Sequence, residues 1–268
     1  MQVQEYNFVK LKVRNLMGLD LDCYKSAQMQ RRLGSFLLRS GHSSWPSLFR
    51  AIQDDPMELS KLKNHLTINV SAFFRDPQKY EYLRTSILPR LLKQRPTLRV
   101  WSAGCSRGHE PYSLAMTLVE ATSPFNQHTI LATDIDRSAL LRARAGGPYS
   151  ATDVANVPPS MLECNFSLCF NGTRDDGYSV SRSLQRKVTF QHHNLLQDPF
   201  ESDFDLIVCR NVVIYFVAEV KNLLYRRFYD ALRPGGVLFV GGTEVISKTA
   251  SAGFKPVGVS FYRRNGTG

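Results

Sequence analysis

Apolar residues recur at helical spacing through the first part of the chain. From Tyr6 to Met17 they are Phe8, Val9, Leu11, Val13, Leu16 and Met17, which predicts a helix. From Cys23 to Leu38 the pattern continues, with Met29, Leu33, Phe36 and Leu37 on one side and Lys25, Arg31 and Arg32 off it. Ser44 to Ala51 predicts a short third helix, with Pro46 near its start, where a missing N–H is tolerated. Pro56 to Leu66 predicts a fourth. No strand-like alternation interrupts this region, so residues 1–76 read as a small helical domain with a linker from Thr67 to Pro77. Tyr80 to Lys93 predicts a further helix, leading into a second domain over residues 77–268.

From Thr97 the pattern changes. Leu98 to Ser102 is strand-like and runs into a small-residue turn, Ala103-Gly104-Cys105-Ser106-Arg107-Gly108. A helix is predicted from Glu110 to Ala121, a strand from Thr129 to Thr133 ending in Asp134-Ile135-Asp136, and a helix from Ser138 to Ala145. Such alternation implies a parallel sheet with right-handed crossovers. Gly146 to Lys187 breaks it: two short segments flank a Gly- and Asp-rich turn at Asn171 to Gly177, which predicts a hairpin, read as an inserted β-subdomain at about 147–187. The alternation resumes with strands at Val188 to Gln191 and Phe204 to Cys209. It continues with a helix from Val217 to Leu232, closed by Arg233-Pro234-Gly235-Gly236, and a strand from Val237 to Val240. Phe254 to Arg264 reads as one or two terminal strands.

Composition narrows the class. The 268 residues carry a formal net charge of +11, which favours an acidic partner without saying which kind. No apolar run reaches the roughly 18 residues of a membrane span, and the N-terminus lacks a signal-peptide core, so a cytoplasmic protein without membrane insertion is expected. Cys23, Cys105, Cys164, Cys169 and Cys209 show no zinc-site spacing, so packed, reduced thiols and no metal are expected.

In an open parallel sheet, ligands bind beyond the carboxyl ends of the strands. Four segments fall at such ends: Gly104 to Glu110, Asp134, Asn194-Leu195 and Arg210-Asn211. The first turn is not GxGxxG, and it leads to an acid, Glu110, where a pyrophosphate site favours bare amides or a base. Asp134 stands at the next strand end, placed to accept from ribose hydroxyls. A ribose partner without a phosphate cradle points to S-adenosylmethionine rather than NAD. A structural turn, with Glu110 simply favouring a helix N-terminus, is the alternative.

The segments WSAGCSRGHEPYSLAMTL, ATDID, NLL and FDLIVCRNVVIYF resemble, in order and spacing, the CheR family of chemotaxis receptor methyltransferases. LTINVSAFFRDP is similar to that family's Asn-x-Thr-x-Phe-Phe-Arg signature, and GLDLDCYKSAQMQRRL to its N-terminal helical domain. The resemblance spans about Leu19 to Gly242. It implies an α/β, Rossmann-like class I methyltransferase domain with a mostly parallel sheet, an all-helical N-terminal domain and a small inserted antiparallel β-subdomain. It implies an enzyme that takes a methyl group from S-adenosylmethionine, leaving S-adenosylhomocysteine, and esterifies glutamates in the cytoplasmic helical region of chemotaxis receptors. Carried over by motif, Asn69, Ser71 and Arg75 reach the cofactor, and Glu110 and Asp134 bind its amino-acid and ribose parts. Asn194, Leu195, Arg210 and Asn211 frame the adenine and the methionine end, and Arg75 and Tyr215 lie closest to the transferred methyl. Lys25, Arg31 and Arg32 are candidates for receptor docking, and a monomer is expected.

Two positions depart from the family. Its Gly-Glu-Glu-Pro-Tyr reads Gly108-His109-Glu110-Pro111-Tyr112, so His109 replaces the first acid; the ligand contact is placed on the surviving Glu110, and the change is expected to weaken or retune cofactor binding without abolishing it. Ser71 stands for threonine and keeps the hydroxyl. A glutamate acceptor is already ionised at neutral pH, so no general base is needed. His192, His193 and Cys105 are read as packing residues, and Phe73-Phe74 either stacks on adenine or packs between domains. Two alternatives stand beside this reading. One is a nucleic-acid methyltransferase, against which the loop Arg210-Asn211-Val212-Val213 lacks the Asn/Asp-Pro-Pro-Tyr pattern; the other is a sensor that binds without turnover.

Overall fold

The computed structural model describes residues 1–67, 71–122, 126–169, 177–246 and 253–266; Asn69 and most of the predicted hairpin turn, residues 171–176, lie outside them. The chain divides into two compact units, Met1–Asn69 with Val213–Lys221, and Val70–Val212 with Asn222–Gly268.

The first unit is helical: α1 (Val3–Met17), α2 (Ser26–Arg39), α3 (Trp45–Asp54) and α4 (Pro56–Leu66). Their apolar faces meet in a core that includes Val9, Val13, Leu33, Trp45, Leu48 and Leu62. Side-chain caps set the boundaries. The Ser44 hydroxyl accepts from Ser47 N at the start of α3, and Asp55 from Met57 N at the start of α4, each with a proline in the first turn. The helix predicted from Cys23 begins later. Asp20 accepts from Asp22 N and winds Leu21–Cys23 into a 3₁₀ turn, so α2 starts at Ser26. Lys25, the residue before α2, and Arg31 on it are exposed, whereas Arg32 is half-buried: its Nη2 donates to the His65 carbonyl, while His65 Nε2 lies 3.0 Å from the Arg32 carbonyl. Segment 213–221 joins this unit through Lys25 N to the Tyr215 carbonyl (2.9 Å) and Val217 N to the Cys23 carbonyl (3.0 Å).

The second unit is built on a sheet. Its strands are β1 (Arg99–Ala103), β2 (Thr129–Asp134), β5 (Val188–His192), β6 (Phe204–Cys209), β7 (Leu232–Val240), β8 (Phe254–Gly258) and β9 (Phe261–Arg264). The order is β5-β2-β1-β6-β7-β9-β8. The first five pair in parallel and β9 runs antiparallel to both its neighbours. β3 (Phe166–Cys169) and β4 (Gly177–Val180) form the separate antiparallel sheet expected of the insertion. The strand order reverses between β1 and β6, so the carboxyl ends of those two strands flank the crevice where ligands bind in such sheets. β6 is buried along its whole length, with an apolar run from Leu206 to Cys209 behind the buried Asp205.

One predicted boundary is corrected. Arg233-Pro234-Gly235-Gly236 does not close a helix ahead of a strand from Val237; the helix ends at Ala231 and these residues already belong to β7. Leu232 pairs with Phe204, and the register then shifts before Val237 pairs with Leu206. The irregularity is held by a buried ion pair. Arg233 Nε donates to Asp205 Oδ1, Asp205 Oδ2 accepts from Arg99 N (2.7 Å), and Arg233 Nη1 donates to Gln94 Oε1 (2.8 Å). No helix among the described residues is long and apolar enough to cross a membrane.

Candidate cofactor site

The site lies at the carboxyl ends of β1, β2, β6 and β7. After β1 the chain turns at Gly104, whose φ of 88° is left-handed and whose absent Cβ would stand 2.4 Å from Val212 Cγ2. A bare backbone is therefore required at the switch point. Gly104 N and Cys105 N both donate to the Thr133 carbonyl (2.8 and 2.9 Å), tying the turn to the end of β2.

Asp134 is the centre of that turn. Its Oδ2 accepts from Ser106 N (2.7 Å) and its Oδ1 from Asp136 N (2.8 Å). Burial pushes its pKa up to about 6, against the backbone amides, which favour the ionised form. Ile135 adds a third backbone contact, and the half-buried carboxylate keeps acceptor capacity toward ribose hydroxyls. Asp136 has a different role: its Oδ1 caps the helix Arg137–Ala145 by accepting from Ser138 N and Ala139 N.

Glu110 opens the helix His109–Ala121 and is held from β1 and β6. Its Oε1 accepts from Ser102 Oγ (2.8 Å) and its Oε2 lies 3.8 Å from Arg210 Nη1. Burial raises its pKa, while Arg210, Ser102 and Arg75 pull it down. His109, next to it, turns the other way. Its ring is fully buried against Phe73 and Tyr149, with Nε2 3.2 Å from Asp153 Oδ1, and burial lowers its pKa to about 4. His109 is thus neutral at pH 7 and faces the inserted segment rather than the Glu110 carboxylate.

Arg210, besides facing Glu110, makes contacts that the sequence did not show. Its guanidinium, almost fully buried, donates to the Arg75 carbonyl (2.8 Å) and Asp76 Oδ2 (2.6 Å) and lies over the Phe239 ring (4.7 Å). It anchors the segment that carries Arg75. That segment is pinned again by Phe73 N to the Asp153 carbonyl (3.0 Å) and Phe74 N to Ser113 Oγ (2.9 Å). Phe73 and Phe74 are core residues, packed edge-on to Tyr149 and Tyr80, so packing is their role. Ser71 and Arg75 are half-buried in the same unit.

The remaining strand ends are shaped by backbone bonds. Asn194 N donates to Asp198 Oδ2 (2.8 Å), Asn194 Oδ1 accepts from Leu196 N (2.9 Å), and the Leu195 carbonyl accepts from Arg227 Nη1 (2.5 Å). Asn211 is left-handed, with φ 60°, and its N donates to Glu244 Oε2 (2.9 Å). Glu244 was not singled out from the sequence; a lone acid after a Gly-Gly pair carries no local signal. Tyr215 belongs to the helical unit, and Asn69 lies outside the described residues. His193 packs edge-on to Trp101 and bonds the Pro199 carbonyl, and Cys105 is buried with its thiol pKa pushed up, so neither is a reactive group.

A bare-glycine turn, a half-buried carboxylate at the second strand end and a second carboxylate at the helix start fit a ribose and a cationic amino acid. On a sheet of this order, they define a class I, S-adenosylmethionine-dependent methyltransferase. The chain belongs to the CheR methyltransferase family: the model of its all-alpha domain matches residues 4–67 and that of its SAM binding domain residues 69–262. A chemotaxis protein methyltransferase of Listeria innocua is 38% identical over 260 residues, covering 97% of each chain. A probable chemotaxis protein methyltransferase of Rhizobium etli is 34% identical over 92% of this chain and 94% of its own. Chemotaxis protein methyltransferase 1 of Pseudomonas aeruginosa is 32% identical, with 91% and 90% covered.

Proposed function

We propose that this enzyme transfers the methyl group of S-adenosylmethionine to glutamate side chains of chemotaxis receptors, in the cytoplasm, forming methyl esters that tune signalling. The observation that carries this reading is the match along 97% of both chains to a relative named for chemotaxis methylation. When bound, the cofactor supplies an electrophilic methyl on a sulfonium.

The protein's own residues supply placement. Asp134 accepts from the ribose hydroxyls, and Glu110 faces the cationic amino-acid end. Asn69 and Ser71 reach the cofactor from the segment before Arg75, and Asn194, Leu195, Arg210 and Asn211 frame the adenine and the methionine end. Arg75 orients the acceptor carboxylate, and Tyr215 donates a hydrogen bond or closes the site beside the methyl. Arg210, by its bonds to Asp76 and the Arg75 carbonyl, fixes where Arg75 stands. A glutamate with a pKa near 4.3 arrives ionised, so alignment rather than proton removal limits the reaction. Charge is lost as carboxylate meets sulfonium, so a tight clamp on the carboxylate slows the step and an orienting contact serves it better.

Lys25, just before α2, and Arg31 on it, both exposed, form the docking face; Arg32 contributes from its edge. The deciding experiment gives the purified protein methyl-labelled cofactor and receptor cytoplasmic fragments, then treats the product with mild alkali. Label released as methanol, and lost when receptor glutamates are replaced by alanine, supports esterification. Stable label, or cofactor binding without transfer, moves the reading to another acceptor or to a sensor. Arg75→Ala is expected to cut turnover at least tenfold; normal turnover removes Arg75 from the mechanism.

A further inference from the structure

β7 ends at Val240 and the chain turns through Gly241 and Gly242 to Glu244, whose N donates to the Gly241 carbonyl (3.1 Å). The Glu244 side chain is only 5% exposed and folds back over this turn. One oxygen, Oε2, accepts from Gly241 N (2.5 Å) and from Asn211 N (2.9 Å), joining the ends of β7 and β6. The room for it exists because residue 241 lacks a side chain: a Cβ there would stand 2.5 Å from Glu244 Oε2 and 3.0 Å from Asn211 N. Asn211 needs such support, since a non-glycine residue at φ 60° is strained unless its surroundings hold it. The other oxygen, Oε1, is buried with no hydrogen-bond partner among the described residues. A buried carboxylate with one unpaired oxygen is a poor way to stabilise a fold, because desolvation offsets what its bonds contribute. Such a group is retained for what it positions.

We propose that Glu244 is a positioning residue for cofactor binding: by capping Asn211 N and Gly241 N with one oxygen, it holds the Asn211 turn in its left-handed, pocket-forming conformation. The inference rests on the reading of Asn211 as a wall of the cofactor pocket. Glu244 acts through Asn211 and not on the methyl, so its loss raises the KM for cofactor and leaves kcat at saturating cofactor unchanged. Reach matters and charge does not. Glutamine keeps an oxygen at the same distance, whereas aspartate is one methylene too short to span both amides.

The test measures S-adenosylhomocysteine affinity by calorimetry and cofactor KM in the full-length protein, with circular dichroism to confirm folding. Glu244→Asp is expected to weaken binding about tenfold, the equivalent of ~1.4 kcal/mol, and Glu244→Gln less than threefold, with kcat within twofold for both. Gly241→Ala, which pushes the carboxylate aside, is expected to behave like Glu244→Asp. A strong Glu244→Asp and a weak Glu244→Gln reverse the order, making charge the cause and overturning the proposal. Asn211→Ala separates the two layers. If it weakens binding while both Glu244 variants bind normally, the positioning role is wrong and the pocket stands. Should Asn211→Ala itself bind normally, the pocket reading fails and carries the inference with it.

Discussion

Asp134 is caught between burial, which favours its neutral form, and backbone amides, which favour its anion, and burial prevails to give a pKa of about 6. Two opposite pH dependences follow. Its folded pKa lies above the ordinary aspartate value of 3.8, so between about pH 4 and pH 6 the folded chain holds a proton that the unfolded chain has released. Its contribution to stability therefore falls as pH rises through that window. Ribose hydroxyls instead need the ionised acceptor, so cofactor affinity moves the other way. S-adenosylhomocysteine affinity should be flat above about pH 6 and fall about tenfold per unit below it. Calorimetry from pH 8 to pH 5 checks this, and Asp134→Asn should bind weakly with no such slope. An equal slope in wild type and Asp134→Asn assigns the titration to another group. His109, at about 4, does not titrate in the same range.

At the scale of elements, the entry into β7 depends on one buried pair. Asp205 supplies both the partner of Arg233 and the acceptor for Arg99 N, so it ties the starts of β1, β6 and β7 together. Asp205→Ala leaves the Arg233 guanidinium buried without its counter-charge, held only by neutral oxygens such as Gln94 Oε1, which should cost about 3–5 kcal/mol. Chemical denaturation reads this directly, and an Asp205→Ala loss below about 1 kcal/mol shows that Arg233 finds another partner or reaches water. The same pair explains why the Arg-Pro-Gly-Gly run misleads. Proline and two glycines are ordinary terminators of a helix, and nothing local reveals that an aspartate on a neighbouring strand holds them in register. The π-helical turn at Leu83–Ile87 was equally illegible, since the run from Tyr80 to Lys93 reads as an uninterrupted helix.

For the whole molecule, the charge of +11 is a statement about encounter rather than about fold. Attraction to an acidic partner surface raises the on-rate and is screened by salt, while contacts inside a partly enclosed pocket are screened far less. Raising salt from about 50 to about 300 mM should increase the KM for receptor fragments several-fold and change cofactor affinity less than twofold. Charge reversal at Lys25 and Arg31 should remove most of that salt dependence. An unchanged salt slope in the double variant places docking elsewhere. Arg32 is less informative, because its bond to the His65 carbonyl makes its replacement a change to the α2–α4 contact as well.

Hydrophobic period and turn chemistry are local, so the sequence alone determined the helical first region, the parallel alternation after Thr97, the hairpin and the positions of Glu110, Asp134 and Asn211 at strand ends. The direction in which a side chain points is not local. Arg210 and Asp76 are 134 residues apart, and Glu244 and Asn211 are 33 apart, so only the packed sheet could pair them. For that reason the bonds from Arg210 to Asp76 and the Arg75 carbonyl could not be read from the sequence. His109 reads as a change beside the cofactor and proves to face Asp153, and Glu244 becomes visible only once the ends of β6 and β7 are brought side by side.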